Sequence, residues 1–328
     1  MPASAPAGGS SGGKVPRQAW PVGDGEMGVG FWQSPEVQGG AIPFGAALLL
    51  CLMVRLAGGR EHGARLAVVA VPLGFLLAYI LLEPVAWPAV ASKQKVFYIA
   101  LLALVIGLAA AVRGARRSTA VAAAAIFAVA SLIWLAIRRL SGEPGFGDLA
   151  TLVVLLLVSI VLVWRLLAAE AATPDEPDES RGSIHAPAML LLLAFAAGLI
   201  SLAGAFIGMA QLAIALGAVL GGFLLVSYVS YVRSGQALRF GPLGALAAGG
   251  AWLACLYVMV LFAGAVSRPA LAILLVAFLA DPLARRIRFS QGKTARMIEP
   301  ILYGAIVALP AIAGVVYAFS MADSEPGY

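Results

Sequence analysis

Charge is scarce in this chain, and its scarcity excludes more than any motif does. Only 12% of the 328 residues are Asp, Glu, Lys or Arg, whereas 62% are hydrophobic. A soluble globular domain is roughly half apolar and about a quarter charged. With a mean hydropathy of +0.96, the chain reads as a polytopic membrane protein with no room for a soluble catalytic or nucleotide-binding domain. Histidine is nearly absent. His62 and His185 both fall in expected loops, which removes any pair of membrane-depth haem ligands and any Ser–His nucleophile system. The two cysteines, Cys51 and Cys255, sit inside apolar runs and form neither a CxxC nor a disulfide framework.

Catalytic signatures are missing as well. There is no HExxH for a metalloprotease and no GxxxxGK[ST] for nucleotide hydrolysis. The acidic run Asp175 to Glu179 contains a proline and has no adjoining apolar pocket, so it reads as a solvated tether rather than a magnesium diphosphate site. No catalytic residue, cofactor or metal site is expected, and the chain is not expected to be an enzyme. The formal charge of +6, from 22 basic and 16 acidic residues, reads as basic loops retained at one membrane face. Nucleic acid is not an expected partner; the lipid bilayer is, with a protein partner or a second copy of the chain left open.

What the chain does have is a series of long apolar runs. A hydrocarbon core about 30 Å thick needs roughly 20 apolar residues in helical form. On that measure spans are expected near 41–57, 66–83, 95–112, 119–137 and 147–167, then near 187–208, 210–231, 243–265, 269–284 and 298–320. The predicted fold is an all-α helical bundle of ten transmembrane helices in two halves of five. Residues 1–40 form a tail with interfacial aromatics Trp20, Phe31 and Trp32; 41–169 is the first half, 170–185 an acidic linker, 186–320 the second half and 321–328 a C-terminal tail. Between Ala186 and Val232 no charge interrupts the run, so a hairpin with Gly204, Gly208 and Gln211 at its turn is expected there. Five spans per half would insert the halves in opposite senses, the arrangement of inverted-repeat transporters.

The basic residues alternate with the spans. Fifteen Lys and Arg fall on the side of the linker and seven on the side of the termini, which predicts both termini outside and the linker cytoplasmic. A bacterial inner membrane is the expected location.

Ionised groups in a bilayer cost about 2.5–3.5 kcal/mol on insertion scales, so the acids near the spans are candidates for function. Glu83, before Pro84 at the outer end of its span, is a candidate cation or proton site; the residue before a proline also leaves helical geometry, which would end the helix there. Asp281-Pro282 and Glu299-Pro300 both fit helix starts, with an acid at the positive end of the dipole and proline in the first turn. Ser201 and Gln211, followed by Ser227, Tyr228, Ser230 and Tyr231, are candidates to line a polar path. Gly204-xxx-Gly208 and Gly217-xxx-Gly221 place small residues on one helix face for close packing. Pro72 and Pro310 each remove a backbone hydrogen bond and should kink their helices.

Two functions from different classes fit this pattern. The first is a secondary permease for a small solute, weakly polar or amphipathic, with Glu83 and the Gln211 region as its working groups. The second is a non-catalytic membrane subunit or scaffold of a larger complex.

Overall fold

The computed structural model describes residues 34, 37–59, 62–114, 116–141, 145–170, 179–284, 286 and 293–324. Residues 1–33 with the three tail aromatics, 171–178 of the linker and 325–328 lie outside the described residues. A single turn of π-helix at Val37–Ala41 leads into α1, Ile42–Ala57. There follow α2, His62–Leu66; α3, Ala70–Leu82; α4, Ser92–Val112; α5, Arg117–Leu140; α6, Phe146–Glu170; and α7, Glu179–Ala203. Then come α8, Ile207–Ser234; α9, Gly241–Phe262; α10, Arg268–Leu275; α11, Ala277–Ala284; and α12, Lys293–Ser324. Among the described residues there is no strand. The fold is an all-α bundle.

Among the described residues nine helical stretches are long and apolar enough to cross a membrane. They match nine of the ten expected spans. The run expected at 269–284 is instead broken at Val276 into α10 and α11. These two run antiparallel to α12: a Cβ on Gly314 would lie 2.8 Å from the carbonyl of Ala270, and Tyr303 bonds Asp281. Eleven residues along the broken pair thus match eleven along α12. The pair behaves as one interrupted rod of about 25 Å at ~1.5 Å per residue.

The exterior confirms the class. Leu56, Ile126 and Leu309 are 81%, 71% and 65% exposed, on faces that a soluble protein would make polar and that lipid instead covers. At the centre stands α9, whose residues from Leu243 to Met259 are buried on every side. Its small residues allow this. Cβ atoms at Gly244, Gly249 and Gly250 would lie 2.7 Å from Val68, 3.0 Å from Leu166 and 2.7 Å from Ala103, so three neighbours approach to backbone distance. The principal partner of α9 is α4, while α8 packs on both α7 and α1.

The two halves are therefore interleaved. They are not packed alike: α12 lies along α7, whereas α6, its counterpart in a five-helix inverted repeat, lies along α5, α9 and α7 and not along α1.

Local chemistry explains the breaks. Ahead of Pro72, which cannot donate to the carbonyl of Val68, the chain tightens into the 3-10 turn Ala67–Val69. The expected α7–α8 hairpin is present, with its turn at Gly204–Phe206. Ala205 takes φ +54° there, the Ser201 hydroxyl donates to the Phe206 carbonyl at 3.1 Å, and Gly204 abuts Val266. Gly208 and Gln211 belong to the first turns of α8 instead. Further along α8, Gly217 meets Phe195 and Gly221 meets Leu191 of α7. That close approach is the role expected of the second small-residue pair. The last seven residues of the expected linker, 179–185, are helical and open α7.

Candidate functional site

The densest buried polar group lies where α7, α11 and α12 meet. Asp281 is only 3% exposed, and the Tyr303 hydroxyl donates to its Oδ1 at 2.6 Å. The His185 ring stacks on Tyr303 with centroids 3.9 Å apart and planes 11° from parallel. Glu299, one helical turn before Tyr303 and so on the same face, is buried as well. Each of these four side chains makes at least one further interaction within the protein. Tyr303 lies within the apolar stretch Thr294–Ala322, and His185 is the third residue of the stretch Ser183–Ala203. The arrangement joins an acid, a phenol and an imidazole in van der Waals or hydrogen-bond contact.

Two expectations are corrected here. Asp281-Pro282 and Glu299-Pro300 do not start helices, because α11 and α12 run through them. Each proline costs its helix one backbone bond, and packing against neighbouring helices tolerates such a loss inside a bundle. His185 is not in a loop. It sits in the second turn of α7 and is buried, because the helix begins before the linker's polar composition ends.

Beside this cluster a cleft of about 390 Å³ opens between α1, α7, α8 and α12, within the size range of small-molecule sites. Ile184, Ala188 and Leu191 line it from one face of α7, Leu224 and Tyr228 from α8, and Pro300 from α12. Its walls are apolar except for Tyr228, whose hydroxyl donates to the carbonyl of Met297 at 3.0 Å. Ile184 adjoins His185 in the chain and Pro300 adjoins Glu299. Cleft and polar cluster thus share the α7–α12 seam.

Glu83 lies at the other end of the bundle. It is extended, φ −140° and ψ 138°, so the helix ends before Pro84 as its sequence predicts. Lys93 at the start of α4 donates to Glu83 Oε1 at 2.6 Å. The same oxygen would lie 3.5 Å from a Cβ on Gly208, in the first turn of α8, where the helix dipole favours a carboxylate. Gln211 is half-buried one turn further on, its carbonyl 3.9 Å from the Cβ position of Gly39.

The remaining candidates do not form one path. Ser201 closes the α7–α8 turn, whereas Ser227 lies twenty residues along α8 from Ile207, about 30 Å away at ~1.5 Å per residue. Ser227 is buried and its hydroxyl accepts from the amide of Leu238 at 3.1 Å. Ser230 donates to the carbonyl of Gln236. These bonds fasten the loop that follows α8. Tyr231 is buried on the face it shares with Ser227, and only Tyr228 reaches the cleft.

Two groups escape a reading of the sequence. His185 carries no signal beyond its identity, because its partner is 118 positions away. Lys95 reads as an outer-loop cation, yet it is only 7% exposed in the first turn of α4. Its Nζ donates to the carbonyl of Trp134 at 2.7 Å and lies 5.4 Å from the centre of that indole. Among the described residues no three His, Cys, Asp or Glu side chains are placed to hold a metal ion. Compared with known proteins, the chain matches no family model and no curated protein at a significant level.

Proposed function

We propose that this multi-pass membrane protein is a proton-coupled permease for a small, weakly polar or amphipathic solute, a carrier rather than an enzyme. The observation that carries this reading is the buried cluster in which Tyr303 bonds Asp281 and stacks on His185. Asp281, Glu299 and His185 are buried near the ends of their helices, and ionisable groups buried beside apolar spans are costly and are candidate ion or proton sites. The Tyr303 hydroxyl bonds the Asp281 carboxylate and its ring stacks on His185, so an acid and an imidazole that exchange protons in the range of transport chemistry flank one phenol. The cleft beside the cluster accepts the solute: its walls hold an apolar body and Tyr228 offers the single polar contact. A scaffold has no comparable use for a buried acid next to an open cleft.

The same reading sets the orientation. Arg55, Arg65, Arg113, Arg233, Arg239 and Arg296 share one end of the bundle, and by the positive-inside rule that end faces the cytoplasm. The cell membrane of a bacterium is the proposed location, with both termini outside.

The test uses purified full-length protein in liposomes that enclose a pH-sensitive dye, challenged with a panel of small amphipathic and weakly polar solutes. A solute that evokes proton movement with the wild type, and not with Asp281→Asn at equal incorporation, establishes the coupling. A folded wild type that moves no proton with any solute, and that co-purifies from its native membrane with a stoichiometric partner protein, replaces the permease by the scaffold.

A further inference from the structure

A second cavity, of about 260 Å³, opens at the arginine-rich end between the start of α9, the end of α4 and the turn after α2. Val68, Ala110 and Leu243 give it apolar walls, and Arg65 and Arg239 line it as well. Among the described residues that line it there is no carboxylate. The frame is fixed by the backbone: the amide of Arg239 donates to the carbonyl of Ala64 at 3.2 Å, so the two arginine-bearing segments are tied together. At Gly107, one turn below, a Cβ would lie 3.1 Å from the carbonyl of Leu243, so α4 and α9 are in close contact beneath the cavity. Gly114, at φ +58°, lines the cavity just past the end of α4.

We infer that this cavity is a binding site for a phosphate group, held between Arg65 and Arg239. Two arginines lining one cavity offer the charge and the planar donor forks that phosphate oxygens accept. Both arginines also interact within the protein, and five N–H donors on each leave directions for a ligand. A lipid headgroup and a free phosphate carry the same chemistry. The apolar walls and the position at the helix ends suit the headgroup, whose glycerol and first methylenes would cover Val68 and Leu243. The site is independent of the permease reading, being lined by neither the buried acids nor the α1/α7/α8/α12 cleft.

The experiment is a binding titration of the full-length protein in detergent, read by its own tryptophan-monitored thermal unfolding. The probes are phosphatidylglycerol, phosphatidylcholine, inorganic phosphate, and chloride at matched ionic strength. A saturable rise in Tm with phosphatidylglycerol alone identifies a lipid headgroup; a saturable rise with inorganic phosphate as well identifies a free phosphate site. In either case Arg65→Gln and Arg239→Gln each weaken the apparent affinity about tenfold, the loss of one charge-assisted pair. Arg233→Gln, on the same end but outside the cavity, leaves it unchanged. Ala111→Leu fills the cavity with both arginines in place and abolishes the rise, which separates loss of the site from loss of the fold. Equal Tm shifts with phosphatidylglycerol and phosphatidylcholine, or undiminished affinity in all three cavity variants, would overturn the inference.

Discussion

Glu83 and Lys93 close the α3–α4 connection with a 2.6 Å ion pair whose carboxylate rests against the first turn of α8. The pair links a residue of the first half to the N-terminus of a helix of the second, and it neutralises the acid that stands out most in the sequence. Lys93 is 44% exposed and Glu83 15%, so water screens the pair. Glu83→Gln or Lys93→Ala is expected to cost about 0.5–1 kcal/mol, a loss that shrinks in 1 M salt. Thermal unfolding with and without salt checks this. Abolished uptake by a Glu83→Gln protein of near-normal stability would return Glu83 to the transport path.

Tyr303→Phe separates hydrogen bonding from stacking in the buried cluster. It keeps a ring for His185 to stack on and removes the donor to Asp281, leaving a buried oxygen short of a partner. A destabilisation of about 1–3 kcal/mol is expected, with solute-evoked proton movement slowed but Asp281 still able to carry a proton. Asp281→Asn is expected to retain the fold better and lose the proton movement entirely. Parallel unfolding and flux measurements on the two variants distinguish them.

Glycine positions give a test of packing. A Cβ on Gly222 would lie 2.5 Å from the carbonyl of Phe44, a backbone atom that cannot move aside alone, so Gly222→Ala is expected to cost about 1–3 kcal/mol or more through overpacking. At Gly304 no atom lies within 4 Å of the same position. Gly304→Ala should be neutral, or stabilising by up to about 1 kcal/mol through helix propensity. Equal losses in both variants would contradict the α1–α8 contact.

The alternating topology predicts accessibility. Cys51 and Cys255 are buried, so the wild type should resist membrane-impermeant thiol reagents. A cysteine placed at Lys93 is expected to react from outside the cell, and one placed at Arg239 only after the membrane is opened. Labelling of both from the same side would contradict five crossings between them.

Much of this architecture was legible in the residues themselves, because a bilayer imposes a local rule. Each crossing must satisfy its backbone within one helix and present some twenty apolar residues, so run lengths locate the spans without knowledge of their partners. The presence of a hairpin near Gly204, the small-residue spacing of Gly217 and Gly221 and the end of α3 at Glu83 follow from neighbours a few positions apart, whereas the turn closes at Gly204–Phe206 and not at Gly208 and Gln211. The inner and outer ends were assigned from charge alternation alone.

Only tertiary structure decided which residues meet. Asp281, Glu299 and His185 each have an ordinary local reading, as helix starts or a loop residue, and nothing within twenty positions of His185 announces Tyr303. Hydrophobic periodicity is silent as well on which helix stands at the centre, because in a chain apolar on nearly every face the lipid-facing and buried sides are chemically alike. The centre fell to α9, whose small side chains let α4 and its other neighbours approach. The polar contacts then followed from which helix ends were brought together: Lys95 under Trp134, Lys93 beside Glu83, and Tyr303 between His185 and Asp281.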